Sequence, residues 1–176
     1  MKALTGKIVK ILLCLVLICL TVTGVFYLSD VIGISESDLE DDIRKSQKIE
    51  DNWTVCGDVS DEMAAFISYP EDRTGHTFSV YVNRPGFSFG YFFRAGGGIF
   101  EIEEYVLEFS LEGYSDRAFI SMNKQKAERL EFDDGTTVKS INLDSGKPFA
   151  FVLPDNAGNV RFFNSEGEVE IVKHHG

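Results

Sequence analysis

The sequence predicts an all-β domain, a mostly antiparallel β-sandwich or partly open barrel of about nine strands. One transmembrane helix and a short helical stalk precede it. Three observations carry this expectation. An uncharged apolar run lies near the N-terminus. From Trp53 onward the hydrophobic period becomes two. Turn-forming residues then recur between short apolar segments.

The apolar run "ILLCLVLICLTVTGVFYLS" covers Ile11 to Ser29. At about 1.5 Å per residue it reaches roughly 28 Å as a helix, close to the ~30 Å hydrocarbon core of a bilayer. Lys2, Lys7 and Lys10 precede it, whereas Asp30, Glu36, Asp38, Glu40, Asp41 and Asp42 follow. Lysines on the N-terminal flank alone predict a cytoplasmic N-terminus and an extracytoplasmic remainder. A cleaved signal peptide is the competing reading, but Val22-Thr23-Gly24 is a weak cleavage pattern. A lipoprotein signal fits less well, because Cys14 and Cys19 follow Leu13 and Ile18 rather than small residues. All three readings export the domain.

These boundaries divide the chain into a cytoplasmic tail (1–10), a signal-anchor helix (11–29), an acidic stalk (30–52), a β-domain (53–172) and a frayed tail (173–176). In the stalk, Ser37 and Glu40 have capping-box spacing. Acids followed by Arg44, Lys45 and Lys48 suit a helix dipole. Leu39 and Ile43 make only a thin stripe, which predicts a solvated spacer more than a docking helix.

In the domain, "TFSVYV" alternates, with Phe78, Val80 and Val82 on one face and Thr77, Ser79 and Tyr81 on the other. "MAAFISYP" and "PFAFVLP" are continuous apolar runs, as in strands covered on both faces. "DRAFISM", "AERLEF", "VRFF" and "EVEIV" are shorter strand segments, and "NKQKAERL" could hold a helical turn. Asp134-Gly135 predicts a two-residue hairpin. The parity of Phe100 and Ile102 is opposite to that of Tyr105, Leu107, Phe109 and Leu111, which predicts a bulge near Glu103-Glu104.

The densest stretch is "FSFGYFFRAGGGIF", Phe87 to Phe100. It reads as a strand from Phe87 to Arg94, a turn over Ala95 to Gly98 and a returning strand from Ile99. Phe87, Phe89, Tyr91 and Phe93 would then form a core face. Gly90, Phe92 and Arg94 would form a candidate binding surface, since an aromatic beside an arginine can hold a sugar ring, a peptide or a protein partner.

Chemistry is harder to find. The formal net charge is −11, which argues against nucleic acid and against an anionic membrane surface as partners. The glycine run lacks the Lys-Ser/Thr of a phosphate loop. Only three cysteines are present, and no Cys/His cluster has zinc spacing. No cofactor or metal is therefore expected. A hydrolase would have to use His76 with Cys56 or Ser68, oriented by Asp58 or Asp72, and no GxSxG elbow supports it. The sequence thus points to a membrane-anchored accessory protein of the cell envelope. It would have a binding, regulatory or structural role toward an envelope protein or a glycan.

Overall fold

A computed structural model describes residues 2–28, 32–84, 89–154 and 156–175. Helix α1 spans Lys2–Leu28. Its segment Lys7–Phe26 is 20 residues long, has a mean hydropathy of 2.7, and buries none of its residues against the rest of the chain. It is long and apolar enough to cross a membrane.

Among the described residues twelve strands follow, in three four-stranded sheets that form no closed barrel. The first sheet runs in the order β1 (Thr54–Val59), β2 (Met63–Tyr69), β3 (Thr77–Asn83), β4 (Tyr91–Gly97). The second places β5 (Val106–Ser110) and β6 (Asp116–Ser121) between two outer strands, β12 (Ile171–His175) and β9 (Phe149–Pro154). The third has the order β11 (Gly167–Val169), β10 (Gly158–Asn164), β7 (Arg129–Asp133), β8 (Val138–Asn142). Among the described residues the pairings between these strands are antiparallel except that of β12 with β5, which is parallel. The expected count of about nine strands is therefore too low, and residues 173–175 are strand rather than frayed tail.

Two apolar faces on the second sheet explain the third. Leu107, Phe109, Ala118, Ile120, Ala150 and Val152 pack against Met63, Ala65, Ile67, Phe78, Val80 and Val82 of the first sheet. Val106, Phe119, Phe149 and Leu153 point the other way, onto Leu130, Phe132, Phe162 and Val169 of the third. A sheet apolar on both faces must be covered on both. The reading of "PFAFVLP" as a two-sided strand is borne out, and it is this property that turns a sandwich into a stack of three sheets.

The stalk is not a solvated spacer. Residues 32–34 lie along the start of β4, with an isolated parallel bridge Ile32–Phe89 and an antiparallel one Ile34–Tyr91. After a 3₁₀ turn at Glu36–Asp38, helix α2 (Leu39–Ser46) lies on the outer face of the first sheet. Leu39 and Ile43 are buried there with Ala64, Tyr81 and Tyr91. Burying each such side chain contributes about 1.5–3 kcal/mol. The acidic first turn, the basic last turn and an Arg44–Glu40 ion pair at 2.7 Å support the helix locally. The expected capping box does not form. Ser37 sits inside the 3₁₀ turn, and the residue before α2 is Asp38, which makes no side-chain cap.

Other local expectations are corrected as well. The phase slip near Glu103-Glu104 is absorbed by a one-turn helix, α3 (Glu101–Glu104), not by a bulge. The β7–β8 hairpin closes at Asp133–Val138, so its loop has four residues rather than two. Asp134 caps that loop, accepting from the amides of Thr136 and Thr137 at 2.9 Å. "NKQKAERL" forms a turn without helix. Its Asn123 has φ 55°, and its side chain ties together backbone groups of Ala127, Asp144 and Lys147.

Candidate functional site

The aromatic stretch begins with Phe87 and Ser88, which lie outside the described residues. Strand β4 continues through Gly97, so the turn expected over Ala95 to Gly98 is displaced toward Gly98. Its pairing with β3 slips between Val80–Ala95 and Tyr81–Phe93, which leaves Arg94 as an extra residue. This is a β-bulge, and it breaks the alternation assumed from sequence. The expected core face is not one: Tyr91 is 8% exposed, but Phe89 is 55% and Phe93 46% exposed. β4 lies at the edge of its sheet, where little covers it.

Gly90, Phe92 and Arg94 have three different surroundings. Gly90 has φ +88°, and a Cβ built on it would lie 2.5 Å from the Ile34 carbonyl oxygen. The space beside Gly90 is thus filled by the chain's own residues 33–34. Phe92 is half-buried, with the Arg84 guanidinium 4.0 Å from its ring centroid. A Cβ on Gly33 would come within 2.9 Å of the Phe92 ring. Arg94 is exposed and lines a groove of about 340 Å³ with Ala95, Phe109, Leu111, Glu112 and Tyr114. Of the three, Arg94 is the one that faces an open groove.

The residues of the hydrolase reading make separate contacts. The His76 ring has Nε2 3.0 Å from the Ile99 carbonyl oxygen and Nδ1 3.4 Å from Glu103 Oε1. It latches the β2–β3 loop to the start of α3. The Cys56 thiol donates to the Pro148 carbonyl at 3.7 Å, and burial pushes its pKa up. That is opposite to the shift that activates a cysteine nucleophile. Cys56 pairs with Ile67 on the face turned to the second sheet. Ser68 is the next residue after Ile67, so it points to the opposite face. Asp58 Oδ2 accepts from the Val152 amide at 3.0 Å, which satisfies a donor on the outer edge of β9. Asp72 caps its own turn at Thr74.

Sequence reasoning missed one cluster. Glu108 is 5% exposed, with Arg117 at 2.8 Å and Lys173 at 3.7 Å. These three lie in a cleft of about 520 Å³ between the second and third sheets, joined by Asp133, Arg161 and Glu168. Three acids and three bases line it, and Glu108 is ion-paired with Arg117 and Lys173. Glu108 falls at the polar parity of "VLEFS" and reads as solvent-facing. It is buried because the third sheet, built from strands that begin at Arg129, packs over it, which no local pattern announces.

Among the described residues no group of three or more His, Cys, Asp or Glu side chains is arranged to hold a metal ion. The chain has an N-terminal apolar helix followed by a β-domain of stacked, mostly antiparallel sheets. It matches no family model, no curated protein and no solved structure.

Proposed function

We propose that α1 is an uncleaved signal anchor, with its N-terminus in the cytoplasm and the β-domain on the extracytoplasmic side of the cell membrane. In this reading the domain is a non-enzymatic accessory of the cell envelope, with a binding, regulatory or structural role. One observation carries it: a 20-residue apolar segment that none of the three hydrophobic cores covers. Lysines before it and acids after it support the stated orientation. The exposed Arg94, beside a groove containing Tyr114 and Glu112, is the part of the β4 surface best suited to contact an envelope protein or a glycan.

The test has two parts. In untreated cells the full-length protein should be found in the membrane fraction, and protease added to intact cells should digest its β-domain. A soluble, N-terminally shortened product would defeat the anchor. A photo-cross-linking residue placed beside Arg94 should then trap a discrete partner in cells, and Arg94→Glu should abolish the adduct in a folded protein. An unchanged adduct would remove this surface from the proposal. Nothing in the surroundings of His76, Cys56 and Ser68 favours the hydrolase reading.

A further inference from the structure

The residues that follow α1 hold two exposed apolar side chains close to its end. Ile32 is 46% exposed and Phe89 is 55% exposed. They are bridge partners. The Gly33 amide donates to the Phe89 carbonyl at 2.6 Å, and Ile34 and Tyr91 exchange two hydrogen bonds of 2.8 Å. This contact is tight by construction. A Cβ on Gly33 would lie 2.6 Å from the Tyr91 carbonyl oxygen, and one on Gly90 would lie 2.5 Å from that of Ile34. Two glycines let the backbones meet, so Phe89 goes wherever Ile32 goes.

Chain length then limits where Ile32 can be. α1 ends at Leu28, four residues earlier. An extended chain spans at most about 3.6 Å per residue, so Ile32 Cα lies within about 14 Å of Leu28 Cα. The polar headgroup layer on each side of a bilayer is about 5–8 Å thick. With α1 across the membrane and Leu28 near the edge of the hydrocarbon core, a slanted or folded-back link keeps Ile32 and Phe89 in the headgroup layer, whereas one extended by more than about half its reach along the bilayer normal lifts them clear. Apolar and aromatic side chains at that depth are favoured by the interface, where aromatic rings concentrate at headgroup level.

We propose that Ile32 and Phe89 form a lipid-contact patch that inserts into the headgroup region of the membrane α1 crosses and so fixes the orientation of the β-domain on it. The proposal rests on the anchor reading above. The contact is apolar rather than electrostatic, because the chain carries a net charge of −11 and would be repelled by an anionic surface. Neutral lipid is the fitting partner.

Full-length protein with Trp53→Phe is reconstituted in phosphatidylcholine vesicles, with or without lipids brominated near the headgroup end of the acyl chains. Tryptophan is introduced either as Phe89→Trp or, to report on the anchor, as Phe26→Trp. Far-UV circular dichroism checks that both variants fold. The proposal expects brominated lipid to quench both tryptophans, and Phe89→Trp emission to lie to the blue of a water-exposed indole. If Phe26→Trp is quenched and Phe89→Trp is not, the anchor stands and the lipid contact is overturned, leaving the patch for a protein partner. If neither is quenched, the anchor reading fails and the lipid contact fails with it.

Discussion

The Tyr81 hydroxyl donates to Asp42 Oδ2 at 2.7 Å, which joins the third strand of the first sheet to a helix 39 residues earlier in the chain. Around this bond Leu39 and Ile43 are fully buried. The segment that carries α2 is thereby part of the fold of the β-domain.

Ile43→Ala tests that packing. It removes a fully buried side chain from between α2 and the first sheet and should cost about 2–5 kcal/mol. Urea denaturation of the detergent-solubilised full-length protein measures it. A change below about 0.5 kcal/mol, the range of ordinary surface substitutions, would mean α2 is not docked.

Tyr81 also gives a pH dependence. Burial first, and then the hydrogen bond to Asp42, raise its pKa well above the ordinary 10.0. A raised folded-state pKa contributes stability that is fully present below about pH 10 and is lost as pH rises toward the folded value. Unfolding midpoints of the wild type should therefore fall above about pH 10. Tyr81→Phe should lower the midpoint at pH 7 and flatten the alkaline decline. Parallel curves for the two proteins would show that Tyr81 is not the group responsible.

Gly90→Ala places a methyl group at a backbone φ of +88° and against the Ile34 carbonyl. The left-handed conformation alone costs about 1–2 kcal/mol, and the contact adds to it. Hydrogen exchange should show faster exchange at the Ile34 and Tyr91 amides, which pair across this junction, while amides of β6 keep their protection. Uniform acceleration everywhere would point to global destabilisation instead.

Asn123→Ala leaves the Ala127 amide and three backbone carbonyls without the side chain that serves them. The site is buried. Unsatisfied buried groups cost about 1–3 kcal/mol each, partly recovered by relaxation, so a net loss of about 2–4 kcal/mol is expected. Thermal unfolding followed by circular dichroism reads it, and a shift within error would contradict the hub role.

Cys56 should be a slow nucleophile. Its thiol is half-buried with its pKa pushed up by burial, so less thiolate is present at pH 8 than in a free cysteine. Mass-spectrometric counting of the Cys56 peptide after iodoacetamide treatment should show slow alkylation in the folded protein and fast alkylation in urea. Rapid labelling of the folded form would revive a catalytic role.

The sequence alone determined the apolar N-terminal helix and the β class of the domain, because both are written in local hydrophobic period. It also located most of the strands, including the two-sided runs of β2 and β9, whose unbroken apolar pattern requires cover on both faces. Three matters were left to the tertiary structure. A third sheet covers the second, and buries Glu108 at a position of polar parity. Helix α2 docks through Leu39 and Ile43, with Asp42 bonded to Tyr81, on a face where the sheet offers Ala64 and Tyr81. The surface expected at Gly90, Phe92 and Arg94 is divided by the bulge at Arg94 and by residues 33–34 lying against Gly90. In each case the deciding partner lies far away in sequence. Local pattern reports which face of an element is apolar, and only the packed chain decides what covers it.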